Sequence, residues 1–184
     1  MPAQERLDLT HAQLLVVDIQ QKLIPYVRDH ADVIFQAVRM IRAAREVDIP
    51  VTLTEQYRKG LGPTDPAVLE ACGDAPCLEK MAFSACGDEA ARERIVSMMR
   101  PSVIVVGIET HVCVQQTALD LIAMQMQPFI AVDAVGSRRQ LDHEVGLSRM
   151  QSAGAVITTV ESVIFHLLGK SGTDLFRRVL PLVR

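Results

Sequence analysis

Three residues have the chemistry for covalent hydrolysis: an aspartate at 18, a lysine at 80 and a cysteine at 113. A cysteine attacks a carbonyl carbon as its thiolate, so it needs a group to take its proton and a charge to stabilise the anion. Asp18 supplies a base and Lys80 a cation. Each residue also has a plainer reading. Asp18 would cap a turn, Lys80 would sit solvated on the surface, and Cys113 would be a small core residue. The plain readings weaken when the three are taken together, because all fall at the ends of β-like segments, where an open α/β sheet builds its ligand sites.

The elements that must position them are readable from periodicity. Gln13–Ile19 (QLLVVDI) is an apolar run with Asp18 near its end, the pattern of a strand buried on both faces. His30–Val47 carries a helical stripe of Val33, Ala37, Met40, Ile41, Ala44 and Val47, with Arg39, Arg42 and Arg45 off it as a solvated face. Val51–Thr54 is a second strand, and Tyr57–Pro66 a Gly/Pro-rich loop. Cys77–Lys80 is a short extended piece, and Asp88–Arg100 a helix ended by Pro101.

Val103–Val106 form a β-branched strand that stops at Gly107. A polar turn, Ile108–Val112, leads into a helix starting at Cys113, with Cys113, Val114, Thr117, Ala118, Leu121 and Ile122 on one face. A thiol there is expected to have its pKa lowered by the helix dipole and by Lys80. Pro128–Val132 is a strand ending at Asp133, and Ser137 with Gln140 reads as a capping box for a helix over Leu141–Ser152. Ala155–Thr158 is the last strand, Thr158 with Glu161 caps a helix to Leu168, and Asp174–Val183 is a terminal helix weakened at Pro181. Strand and helix alternate throughout, which predicts an α/β fold with a mainly parallel central sheet flanked by helices.

Composition narrows the function classes. The chain has 184 residues, 49% of them hydrophobic, with no apolar run near the roughly 20 residues that span a bilayer. No membrane association is expected, and the N-terminal MPAQERLDLTHAQ shows no leader pattern. A net charge of −3 and 4% aromatic content give neither the basic patch nor the stacking platforms that nucleic acid requires. The four cysteines, Cys72, Cys77, Cys86 and Cys113, lack paired zinc spacing, and a chain of this size needs no disulfides, so reduced thiols in the cytoplasm are expected.

At LLVVDIQ with Asp18, EKMAFSA with Lys80, VIVVGIETHVCVQQTALDL with Cys113, AVDAVGSR, and the tail RMQSAGAVITTVESVIFHLL, the chain resembles the isochorismatase-like cysteine hydrolases. The resemblance runs in order from about Ala12 to Leu168, and GIETHVC is its most specific part. It implies a three-layer Rossmann-like, isochorismatase-type fold, with residues 1–184 as one hydrolase domain. It also implies a triad in which Cys113 is nucleophile, Asp18 base, and Lys80 the stabiliser of thiolate and shuttled proton. It places a cis peptide at Ile108–Glu109 and an oxyanion hole at the backbone N–H groups of Glu109 and Cys113.

Within that family, nicotinamidases carry a metal-binding Asp-x-His in the loop after the second strand. Here the loop reads TEQYRKGLGPTDP without histidine; the five histidines (His11, His30, His111, His143 and His166) lie elsewhere. No metal and no cofactor are expected, and the loop looks most like the isochorismatase domain-containing, non-nicotinamidase subgroup. Pocket candidates are Gln20, Gln56, Tyr57, Phe83, Ile108 and His111, with Glu55 beside them. Phe83 reads first as core and second as pocket wall, and His111 equally as a turn or subunit-contact residue. The expectation is a metal-independent cysteine hydrolase of small amide-like (C–N) or related substrates, assembled as a homo-oligomer. A catalytically silent scaffold domain and a thiol redox sensor are the competitors.

Overall fold

The computed structural model describes residues 7–183; the first six residues of the stretch read for a leader lie outside the described residues. Six strands form one sheet in the order β3-β2-β1-β4-β5-β6, and every pairing within it is parallel. They are β1 (Ala12–Val17), β2 (Val51–Gln56), β3 (Cys77–Lys80), β4 (Ser102–Ile108), β5 (Gln127–Gly136) and β6 (Val156–Thr158). The helices are α1 (His30–Glu46), α2 (Arg58–Leu61), α3 (Pro66–Cys72), α4 (Glu89–Ser97), α5 (Gln115–Ala123), α6 (Gln140–Ala153), α7 (Val160–Leu168) and α8 (Asp174–Val179).

The sheet is buried on both faces because successive side chains of the central strands enter opposite cores. Leu14, Val16, Ile104, Val106 and Ile108 join α1, α3, α7 and α8 on one side. Leu15, Val17, Val103 and Val105 join α4, α5 and α6 on the other. Each fully buried Leu, Ile or Val in these layers contributes about 1.5–3 kcal/mol. The three-layer α/β architecture is the one the alternation predicts.

Strand order reverses between β1 and β4, and the crevice at such a switch point is where a doubly wound sheet takes its ligand. Asp18 follows β1, and the Cys113 turn follows β4. The two strands approach unusually closely there. Val17 pairs with Gly107, which has φ 136°, and a Cβ on Gly107 would stand 2.1 Å from the Val17 carbonyl oxygen.

Several sequence expectations are corrected. The Tyr57–Pro66 loop contains the short helix α2, and α3 follows it unforeseen. Asp65 caps α3 by accepting from Ala67 N, and Pro66 begins it. The helix read to Arg100 stops at Ser97, and Arg100 instead donates to the carbonyls of Leu9 and Ala12. β5 continues past Asp133 to Gly136. The Ser137/Gln140 capping box does not form: α6 starts at Gln140 with no side-chain cap, because Ser137 Oγ is paired with His111 Nδ1. The α7 cap is Thr159, not Thr158. The terminal helix ends at Val179, and a single tight turn, Leu180–Leu182, carries Pro181.

Candidate active site

The site is built from three strand ends. Asp18 adopts φ 52° directly after β1, with its amide donating to Thr54 O across to β2. Its side chain is fully buried. Oδ1 accepts from Thr54 Oγ1 at 2.8 Å, and Oδ2 accepts from Lys80 Nζ at 2.7 Å. Lys80 is the last residue of β3, paired in register with Gln56. Its ammonium has three protons. They reach Asp18 Oδ2, Gln56 Oε1 at 2.8 Å and the carbonyl of Phe83 at 2.9 Å, with the Ala82 carbonyl at 3.2 Å. Neither charged side chain touches solvent. A buried pair of this kind survives only when its remaining hydrogen-bonding capacity is also met, and here it is.

Cys113 is buried beside this pair. It does not begin the α-helix. Thr110–Val114 form a wide π-type turn, and α5 starts at Gln115. Glu109, extended at φ −90°, precedes the turn, and the Ile108–Glu109 peptide bond is cis. The Glu109 carbonyl accepts from the amides of Val112 and Val114, at 3.0 and 3.2 Å, and both bonds bypass the Cys113 N–H.

The expected lowering of the Cys113 pKa is overturned. Burial pushes the thiol up to about 12, and the Asp18 carboxylate pushes the same way by its charge. Lys80 opposes them, and Glu109 adds a further negative charge. The dipole argument fails because the residue is buried, and desolvation of a thiolate there outweighs the Lys80 cation. Such an upward shift favours the protonated thiol, with the Asp18–Lys80 pair as its charged neighbours.

The pocket candidates separate. Gln56 positions Lys80, and its Nε2 donates to Met81 O at 2.9 Å. Gln20 is no pocket wall. Its amide clamps the β2 end and the following loop, donating to Gln56 O and Gly62 O and accepting from Gln56 N. Ile108 is a core residue. Phe83 is 54% exposed, so its first reading as core is wrong, and Tyr57 is 44% exposed. Glu55 is buried, with Oε1 accepting from Thr64 N and Oγ1 and Oε2 paired to Arg58 at 3.1 Å.

Sequence reasoning missed the contacts that brace the Cys113 turn from behind. Glu109 pairs with Arg138 at 2.8 Å, Thr110 Oγ1 with His143 Nδ1 at 3.0 Å, and His111 Nδ1 with Ser137 Oγ at 3.0 Å. The AVDAVGSR motif was the available signal, because it contains Ser137 and Arg138. All four cysteines are free thiols.

Comparison with known proteins places the fold in a family. An isochorismatase domain model matches residues 12–162. Isochorismatase domain-containing protein 2A of Mus musculus is 37% identical over 171 residues, covering 93% of this chain and 82% of its own. A MAR1 ribonuclease from Caenorhabditis elegans superposes with a TM-score of 0.91 at 37% identity, over 97% of this chain and 92% of its own. The YcaC gene product of Escherichia coli, an octameric hydrolase of unknown specificity, superposes with a TM-score of 0.87 at 26% identity, over 97% of this chain and 87% of its own. A crevice of buried Asp18, Lys80 and Cys113 at the switch point of a parallel sheet is thus carried by a chain that belongs to the isochorismatase-domain family and has its hydrolase fold.

Proposed function

We propose that this protein is a metal-independent cysteine hydrolase that cleaves small amide-like C–N substrates, with Cys113 as nucleophile, Asp18 as general base and acid, and Lys80 holding Asp18 in place. The observation that carries the reading is Asp18. One carboxylate is paired at 2.7 Å to a buried lysine, and its charge acts on the buried Cys113 thiol beside it. A neutral thiol beside a fixed carboxylate calls for proton transfer during attack rather than a preformed thiolate.

As Sγ bonds to the carbonyl carbon, the thiol proton passes to Asp18. The backbone N–H groups of Glu109 and Cys113 receive the developing oxyanion. The tetrahedral adduct then collapses, the C–N bond breaks, and Asp18 returns the proton to the departing amine. Water, deprotonated by Asp18, attacks the acyl-thioester. The acid leaves and the proton restores the thiol. Lys80 keeps its hydrogen bonds throughout and prevents Asp18 from turning away.

The name of the C. elegans neighbour raises RNA as a second substrate class. The acidic net charge and 4% aromatic content of this chain favour a small molecule. We further propose a homo-oligomer in a reducing, cytoplasmic setting, supported by the octameric neighbour and the four free thiols. The test is a panel of small primary amides and esters beside a short single-stranded RNA, with intact-mass detection of an acyl adduct. Turnover of an amide with an adduct on Cys113, lost in Cys113→Ala, supports the reading. RNA cleavage that survives Cys113→Ala, with no adduct from any amide or ester, overturns it.

A further inference from the structure

The Cys113 turn is held from two sides, and the mechanism above uses only one. On the second side, the segment after β5 and the start of α6 supply a partner to each of the three residues that open the turn. Arg138 Nε donates to Glu109 Oε1 at 2.8 Å, the Arg138 amide lies 3.4 Å from the same oxygen, Ser137 pairs with His111, and His143 pairs with Thr110. α6 lies so close behind the turn that a Cβ on Gly146 would stand 3.1 Å from His111 Cα. Glu109 is the important member. Its side chain is 10% exposed and its charge acts on the Cys113 thiol, whereas the Arg138 side chain is 59% exposed and belongs to no core cluster.

We propose that Arg138 is a positioning residue for Cys113: its guanidinium fixes Glu109 at the entrance of the nucleophile turn and neutralises a carboxylate that would otherwise oppose thiolate formation. This deepens the cysteine-hydrolase reading and rests on it for its catalytic meaning. The charged groups facing the thiol are Asp18 after β1, Lys80 on β3 and Glu109 after β4. The other carboxylate within reach of Arg138's charge is Asp142, which is paired to Arg139 at 2.8 Å and is also acted on by His111. Asp142 therefore has its own cation, and Glu109 is the carboxylate left to Arg138. Without Arg138, the Glu109 charge, four residues before Cys113, loses its guanidinium partner.

The experiment needs no substrate. Second-order alkylation rates of Cys113 with iodoacetamide are read by peptide mass spectrometry between pH 7 and 9, with exposed Cys77 and buried Cys86 as internal references. In this range, below the thiol's pKa, the rate follows the thiolate fraction, so one unit of pKa is about tenfold in rate. Arg138→Ala is expected to slow Cys113 by about five- to tenfold at fixed pH while Cys77 and Cys86 are unchanged. Arg138→Lys restores most of the rate. In a Glu109→Gln background, Arg138→Ala has little effect, because no carboxylate remains to neutralise.

An unchanged or faster Cys113 rate in Arg138→Ala overturns the proposal. So does the same slowing in the Glu109→Gln background, or accelerated labelling of Cys86, which signals general loosening. If no amide is ever hydrolysed but the Arg138 effect and its dependence on Glu109 hold, the hydrolase reading falls and the positioning role stands.

Discussion

Lys80 Nζ and Asp18 Oδ2 stand 2.7 Å apart, and neither side chain reaches solvent. The pair joins the outermost strand β3 to the central strand β1 across the end of β2, so the site and the sheet edge are held by one contact. Removing only the lysine leaves a carboxylate with no countercharge in the interior. Lys80→Met is therefore expected to cost about 3–5 kcal/mol in urea denaturation. Asp18→Asn added to it should recover a large part of that loss, because the stranded charge is gone. Equal stability of the single and double variants would show that the charge is not what the fold feels.

The closeness of β1 and β4 gives a second prediction. Gly107→Ala would place a methyl group 2.1 Å from the Val17 carbonyl oxygen at a residue with φ 136°. The backbone cannot yield there without separating Asp18 from the Cys113 turn. A loss of about 3 kcal/mol or more is expected, seen as a drop in Tm of about 10 °C in differential scanning calorimetry. A drop below about 2 °C would mean that the two strand ends part easily.

Much of this site was legible because its chemistry lies at the ends of apolar runs. LLVVDI announces a doubly buried strand before Asp18, and VIVVG does the same before the Cys113 turn. What was not legible depends on partners far along the chain. Ser137 and Gln140 have the spacing of a capping box, yet Ser137 is taken by His111, 26 positions away. The thiol pKa was misjudged for the same reason. A local helix-start argument sees neither the desolvation of the buried turn nor that the carboxylate expected as base also opposes the thiolate by its charge. α3 was lost inside a Gly/Pro-rich stretch because its Asp65-Pro66 start reads equally as a turn.

Tyr57, Met81 and Phe83 are 44%, 66% and 54% exposed, and all three follow the strand ends that position Lys80. Large apolar side chains left in water at one sheet edge are a natural contact for a second copy. Light scattering is expected to give a mass that is a multiple of 20.3 kDa for the wild type, and a smaller species for Met81→Glu/Phe83→Glu. A wild type that already elutes as a single 20.3 kDa chain would remove these residues as a subunit contact.

The buried thiols make the fold less stable as pH rises past 9. Cys72, Cys86 and Cys113 are each pushed up to about 12 by burial, from 9.0 in an unfolded chain. Above pH 9 the unfolded chain releases these protons while the folded chain keeps them. Raising the pH therefore favours unfolding, and the stability contributed by each thiol is full below pH 9 and lost on the way to 12. Each buried thiol steepens the fall by about 1 kcal/mol per pH unit in that window. Cys86 lies in the core with no role in the proposed chemistry, so Cys86→Ala isolates the effect. Urea midpoints for the variant should fall more gently than wild type between pH 9 and 11, after a fixed offset for the lost packing. Parallel curves across that window would show that the Cys86 thiol ionises in the folded chain as readily as in the unfolded one.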